Sequence, residues 1–391
     1  VMKRSVIIFL LGTFLAGCVS TTVKRVERPT LDAAPRADAV LLDVGIFLFD
    51  PRIPEDYETR EKLAIQPDVR KAEARYLPGV MRSTLENSGN WGAVRIIPRD
   101  SLAVDLVIEG AIIESNGENL SLALKATDAT GEVWIDDTYS YRTSKYAYDP
   151  AAPKGQDPFQ PLYVRFANDL AALLKTRSDE RLERVRVVSK MRFAEAFAPD
   201  RFDAYLKTSD SGRVTLRRLP AEGDAMMSRI SRVREREYLF LDTLDQYYRG
   251  FESAMQPAYQ DFRAFSYEEA MALAELQRQA RNRTIVGAVA VLGGLAAMAS
   301  DDGASRYAGA LGVAGGAVTL KSGLDKRVEA SMHLEAIGEL ASNLEAVVAP
   351  QVIALDEQTY TLTGNVDEQY ARWREILGDL YRAELGDSAR Q

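Results

Sequence analysis

Cys18 is the one cysteine among 391 residues. No intramolecular disulfide can form, so whatever this chain folds into must be held by packing and polar contacts alone. With 46% of residues apolar and 27% charged, a sizeable core can form. At roughly 100 to 200 residues per domain, the length implies two or three domains. The net charge is −8, with no basic block. That argues against nucleic acid, whose binding rests on Lys and Arg neutralising phosphates, and against electrostatic adhesion to anionic lipid.

The surroundings of Cys18 give the thiol a role. Lys3 and Arg4 precede a mostly apolar run, Val6 to Leu15, that closes on Leu15-Ala16-Gly17-Cys18. A basic start, a short apolar stretch and a small-residue cleavage site predict a secretory signal over residues 1–17. The run falls well short of the roughly 20 apolar residues that a bilayer span needs. Leu-Ala-Gly-Cys resembles the lipobox of bacterial lipoproteins. The resemblance implies removal of residues 1–17 and acylation of Cys18, palmitate included. Val19 in place of an aspartate implies the outer membrane, with the body on the periplasmic side. Residues 18–37 are polar, contain Pro29 and Pro35, lack periodicity, and read as a lipidated tether.

The spacing beyond the tether predicts an α+β fold: a small N-terminal sheet-and-helix domain over 38–145, then a mainly α-helical part. Ala39 to Phe49 reads as a buried strand, and Asp68 to Glu86 as a helix that Pro78 should kink or interrupt. Val94 to Ile97 is a short strand. Leu106–Ile113 and Leu120–Ala126 flank the turn signal Asn116-Gly117-Glu118-Asn119, and Asp128–Glu132 turns into a third strand, Val133–Arg142. The ordered series Trp91-Gly92-Ala93-Val94-Arg95, Asp105-Leu106-Val107-Ile108-Glu109-Gly110-Ala111-Ile112 and Ala129-Thr130-Gly131-Glu132-Val133-Trp134 looks like the periplasmic domain of two outer-membrane lipoprotein groups. These are the penicillin-binding-protein activators and the curli-secretion lipoproteins. The resemblance implies an envelope partner, with peptidoglycan synthases as candidates. The curli-type barrel is not implied, because no extra pair of alternating membrane strands follows.

Residues 146–161 are interrupted by proline and read as a linker, followed by a helical domain over 162–265. Leu162–Leu174 and Arg181–Phe197 are amphipathic, and Gly212–Leu219 is a short polar strand or loop. Asp224 to Met255 carries Met226, Ile230, Val233, Phe240, Leu244, Tyr247, Phe251 and Met255 at helical spacing, a stripe expected to face a core. Ser266 and Glu269 have capping-box spacing and predict a fresh helix start.

Over 266–349 the chain reads as a helical hairpin with Gly/Ala-rich arms. One arm is Ile285–Ala299 and the other Tyr307–Leu320, around Ser300-Asp301-Asp302-Gly303. Gly287, Gly293, Gly294, Gly312 and Gly316 are the expected helix-packing or membrane contacts, since small residues let backbones approach. Each arm holds about 15 apolar residues, roughly 22 Å of helix, short of the roughly 30 Å hydrocarbon core, so packing within protein or an oligomer is favoured over insertion. Leu324–Val348 continues as an amphipathic helix. The C-terminal 350–391 reads as a strand, Val352–Leu362, split near Asp356-Glu357, then a helix capped by Asn365 with Glu368, burying Val366, Tyr370, Trp373, Leu377 and Leu380.

Catalytic groupings are poor. His333 is the sole histidine and reads as structural, which excludes a multi-histidine metal site and a His-based triad. Asp136 and Asp137 are strand neighbours pointing to opposite faces, and Asp301-Asp302 lie in a turn. Gly315 to Ser322 approaches a phosphate loop but has Leu320 where glycine is needed. No cofactor or metal is expected. The sequence reads as a non-enzymatic, lipid-anchored outer-membrane scaffold or regulator of an envelope complex, able to self-associate. The alternative is an oligomeric outer-membrane pore or export component using the Gly/Ala-rich hairpin. Mass spectrometry of the mature protein is expected to show a chain beginning at acylated Cys18, and Cys18→Ser to show neither acylation nor cleavage at that site; a bare thiol behind an intact leader would refute the lipobox reading.

Overall fold

The fold was analysed in a computed structural model describing residues 40–149, 157–282 and 351–388, except 64, 222, 356, 357 and 364, together with 31, 33, 37, 338 and 339. Cys18, the five hairpin glycines, Asp301, Asp302, Gly315–Ser322 and His333 lie outside the described residues, as does nearly all of Leu324–Val348.

Strand β1 (Val44–Ile46) is the centre of a five-stranded sheet ordered β2-β1-β3-β4-β5. It pairs in parallel with both β2 (Val94–Ile96) and β3 (Leu106–Ser115), with Val44 opposite Val94 on one side and Leu106 on the other. The expected long first strand is only three residues of ladder, although Val40, Leu42, Phe47 and Phe49 around it are buried. β3, β4 (Asn119–Asp128) and β5 (Val133–Arg142) form the expected antiparallel meander. Its turns are set by side chains. Asn116 Oδ1 accepts from the amides of Glu118 and Asn119 at 2.8 and 2.7 Å, and Asp128 Oδ1 accepts from that of Thr130 at 2.8 Å. Gly131 takes the left-handed φ of +76° that a side chain would resist.

Between β1 and β2 run α1 (Tyr57–Lys62) and α2 (Pro67–Ser88). Of the two outcomes expected at Pro78, interruption does not occur: α2 continues ten residues beyond it to Ser88. A proline inside a helix leaves the carbonyl four residues back without its amide. Here that carbonyl, Ala74, accepts the N–H of Phe49 at 2.9 Å. The missing helix bond is thus replaced by one that docks α2 on the sheet.

After β5, α3 (Gln160–Lys175) packs on β5 and α2, and α4 (Asp179–Phe197) follows behind a Ser178 cap. A single turn, α5 (Pro199–Phe202), leads to a two-stranded hairpin of β6 (Leu206–Thr208) and β7 (Val214–Leu216). Then comes α6 (Ala225–Asn282), 58 residues in one helix, roughly 87 Å long at 1.5 Å per residue. The helix start expected at Ser266 does not occur; α6 passes through it and through Pro257. Ile230, Val233, Phe240, Leu244, Phe251 and Met255 are buried, so most of the predicted stripe is core. β8 (Gln351–Leu355) and β9 (Gln358–Leu362) form the split C-terminal strand pair. The last helix, α7 (Val366–Ser388), packs on α6, with Trp373 stacked on Phe240 at 6.0 Å. One continuous set of buried apolar side chains runs from Val40 to Tyr381.

Both outer strands of the five-stranded sheet have polar groups turned away from the ladder, and side chains meet some of them. On β5, Asp137 Oδ1 accepts the amide of Thr138 at 2.7 Å and Arg165 donates to the carbonyl of Ser140 at 3.0 Å. On β2, Asp245 of α6 accepts the amide of Ile96 at 3.1 Å.

The cap of α7 forms as its sequence spacing implies. Asn365 Oδ1 accepts the amide of Glu368, and Glu368 accepts that of Asn365, both at 3.0 Å. Asn365→Ala is expected to cost about 1 kcal/mol, read from urea unfolding; an unchanged midpoint would show that α7 is held by Trp373 and its neighbours alone.

Candidate functional site

Of the chemistry-bearing residues singled out from sequence, only Asp136 and Asp137 fall among the described residues. Both are exposed on β5, where Asp137 closes the strand edge. The charges that organise the described structure lie elsewhere, on α6. Its polar side chains meet other elements of the chain at four points along its length.

Nearest its start, Arg234 donates to the Ala103 carbonyl at 2.8 Å and to Ser189 Oγ at 2.9 Å, and lies 3.6 Å from Asp105 Oδ1. One turn on, Glu237 is fully buried and accepts the Tyr370 hydroxyl of α7 at 2.6 Å. Midway, Arg82 of α2, 1% exposed, donates to Asp245 at 3.0 Å and Glu252 at 2.7 Å. Asp245 also receives the Arg249 Nε at 2.9 Å. The two helices close on Gly79: a Cβ there would come within 2.5 Å of the Glu252 carboxylate. Furthest along, Arg263 sits between the rings of Phe159 and Tyr259, 4.9 and 4.0 Å from their centroids. It donates to Asp157 at 2.7 Å. Tyr259 in turn donates to Glu73 at 2.6 Å.

Burial is the main influence on the carboxylates of this set. It raises Glu237, with the Tyr370 hydrogen bond and Arg374 opposing. It raises Glu252 against the pull of Arg82 and Arg249, and Asp105 against that of Arg234. These groups hydrogen-bond mainly to other elements of the same chain, while Glu237 Oε2, Asp105 Oδ1 and the Nε atoms of Arg82, Arg234 and Arg263 are buried without a hydrogen-bond partner among the described residues. Their arrangement suits fastening a long helix; of the set, Asp105 also lines an open recess, together with Glu109 and Asp128. Among the described residues no group of three or more His, Cys, Asp or Glu could hold a metal ion.

One open recess does exist. A cleft of about 280 Å³ lies on the face of β3 and β4 opposite α2, with Val107, Glu109, Lys125 and Thr127 as its floor. The 99–105 loop forms one wall, Phe47 another, and Ser189 and Arg192 of α4 a third. Arg192 donates to the Ala129 carbonyl at 3.2 Å, and burial holds its guanidinium below its ordinary value, with Glu195 opposing.

The stretches that carried the resemblance to lipoprotein domains meet at one corner. Asp105 accepts the Asp43 amide on Oδ2 at 3.0 Å, and its carbonyl accepts that of Ala129 at 2.9 Å. Asp128 receives the Trp134 indole N–H at 2.8 Å, and Trp134 lies 6.4 Å from Trp91. Arg177 covers Trp134 at 3.8 Å. These residues hold a turn and two strand ends together, which is a structural task.

No family model matches the chain, and no curated protein matches it. Among solved structures, the PelC dodecamer from Paraburkholderia phytofirmans is similar over 38% of this chain and 96% of that one, at 15% identity and a TM-score of 0.23. A likeness of that size assigns no function here.

Sequence reading missed the α6 contacts because the partners stand 106 to 186 residues apart, beyond any local pattern. Two tests follow from the fastening. Arg82→Met leaves Asp245 and Glu252 without their shared cation and is expected to destabilise the fold by about 3–5 kcal/mol in urea unfolding. The raised carboxyls make the folded chain hold protons that the unfolded chain has lost, so their contribution is full below the ordinary carboxylate range and falls as pH rises through the raised values. Glu237→Gln keeps the acceptor for Tyr370 and removes the buried charge. Its stability is expected to fall less than that of the wild type between about pH 4 and pH 7; a steeper fall would contradict the assignment.

Proposed function

We propose that the chain is a lipid-anchored, non-enzymatic scaffold or regulator of an envelope complex, facing the periplasm from the outer membrane, in which α6 is the arm that carries residues 285–320 to their contact. The observation that carries this reading is the single 58-residue helix, fastened to the sheet domain as far as Arg263 by buried charge pairs. Tyr267, one turn further on, still meets Tyr148 at 5.3 Å. The helix then runs 15 more residues to Asn282, roughly 22 Å, and hands the chain to the small-residue segment beginning at Ile285. A helix locked at its base and continuous beyond it holds what it carries at a set distance from that base. That is what a presenting element needs and what a catalytic lid does not.

Attachment is supplied by the acylated Cys18 implied by Leu15-Ala16-Gly17-Cys18. Among the described residues, no helix is long and apolar enough to cross a membrane. The partner met by the arm is a second copy of the chain or another envelope protein.

The full lipidated chain, extracted in detergent, is compared by light scattering with one in which 285–320 is replaced by a short Gly-Ser linker. The wild type is expected to associate, and the replacement to be monomeric with unchanged thermal unfolding. Equal assembly by both chains would remove the arm from the account, and discrete conductance of the wild type in a planar bilayer would favour a pore instead.

A further inference from the structure

We infer that the β6–β7 hairpin, with the β4–β5 turn it is fastened to, forms a contact surface for a bilayer bearing anionic lipid headgroups. The inference deepens the lipid-anchored reading and rests on it for which membrane is met. The surface itself is tested without the acyl chain.

Strand register fixes where this surface lies. Val44 of β1 stands level with Leu106 of β3, and Leu106 with Asp128 of β4. The chain therefore enters β1 beside the Asp128–Glu132 turn, where Asp105 takes the Asp43 amide on its side chain and the Ala129 amide on its carbonyl. The hairpin is held to that turn by the Val214 amide, which donates to the Thr130 carbonyl at 2.8 Å, and by Arg213, 3.4 Å from Glu132. The arm leaves at the opposite end, where Gly117 of the β3–β4 turn packs directly on the backbone of Arg263 and Tyr267.

The hairpin is basic on an acidic chain. It is closed by the Arg217 amide on the Tyr205 carbonyl at 2.8 Å, and from Tyr205 to Leu219 it carries Lys207, Arg213, Arg217 and Arg218 against Asp210 alone. All five charged side chains are exposed. Counting Glu132 against Arg213 still leaves three bases to one acid. Lys207, Arg217 and Arg218 make no ion pair within 4.0 Å among the described residues; Arg218 instead lies over the Tyr205 ring, 4.4 Å from its centroid. The adjoining residues 175–184 and 199–204 hold five bases and five acids between them, so they do not cancel the surplus.

Two protruding apolar side chains stand among these charges. Leu219, 64% exposed, directly follows Arg218, and Val133, 46% exposed, directly follows Glu132. Bases beside projecting aliphatic groups suit a headgroup layer: phosphates accept the N–H donors, and the aliphatic tips enter the boundary with the acyl chains. The net charge of −8 predicts no such adhesion, but charges are screened beyond about 8 Å at physiological ionic strength. A bilayer therefore meets this end of the molecule and not the acids remote from it. An acidic protein could use the same bases; lipid is favoured because the tether delivers this end to a membrane.

The mature chain from residue 18, made without acylation, is sedimented at low salt with vesicles of phosphatidylcholine, alone or mixed with phosphatidylglycerol. It is expected to bind the mixed vesicles only, and to be released as salt is raised. The triple variant Lys207→Gln, Arg217→Gln, Arg218→Gln is expected to bind about a hundredfold more weakly, about fivefold for each base, and Leu219→Ser about tenfold more weakly. A second triple, Arg52→Gln, Arg142→Gln, Lys145→Gln, removes the same charge at the opposite end of the sheet and is expected to bind like the wild type. If the first triple fails to fold, amine labelling of the wild type replaces it, with Lys207 shielded by the mixed vesicles and Lys145 still reactive. No binding of the wild type to the mixed vesicles, which would leave these bases to an acidic protein, would overturn the surface, as would equal loss in both triples or equal shielding of both lysines. A bare Cys18 in the cell together with intact vesicle binding would remove the anchor and keep the surface.

Discussion

Everything the fold does with its long helix depends on Arg82, a guanidinium almost without solvent, held between Asp245 and Glu252. Isolated charges are expensive to bury, and a buried pair is stable only when its geometry and remaining hydrogen bonds are good. Here Asp245 is fully supplied, taking the Ile96 amide and the Arg249 Nε as well, so one carboxylate ties α2, β2 and α6 at a single point, whereas Arg82 Nε is buried without a hydrogen bond among the described residues. An apolar patch at the same place would tolerate the helix sliding by a residue or a turn. A fork of two N–H groups on two fixed acids does not, so α6 has one register against the sheet.

The same crossing explains why Pro78-Gly79 stands in the middle of α2. Proline frees the Ala74 carbonyl for Phe49, and glycine clears the space that Glu252 occupies. Taken one at a time, each residue weakens a helix. Taken with their neighbours, one ties α2 to the strand before it, and the other lets the helix that follows much later come close enough for Arg82 to reach its acids.

How much of this was legible in the sequence varied with the range of the force involved. The β3–β4 and β4–β5 turns and the α7 cap were readable because Asn116, Asp128, Asn365 and Glu368 act on amides no more than four residues away. The start expected at Ser266 failed because its neighbours are committed elsewhere: Arg263 is buried against Asp157 and Tyr267 meets Tyr148, so packing keeps α6 helical where the local signal favours a new cap. The parallel placement of β2 and β3 on either side of β1, the β6 strand and the charges of the cleft left no local mark. Lys125 and Arg192 are 67 positions apart on a strand and a helix, and only the fold shows that they share a recess.

The treatment of the sheet's two borders has a consequence for how copies of this chain can come together. Asp245 occupies the Ile96 amide on one side, and Asp137 and Arg165 occupy one amide and one carbonyl on the other. A strand offered by a neighbour meets a ladder that is already partly taken at each margin, which opposes the open-ended growth that produces fibres. The described helix surfaces offer no such ladder; contact area there is finite, and an assembly can close on itself.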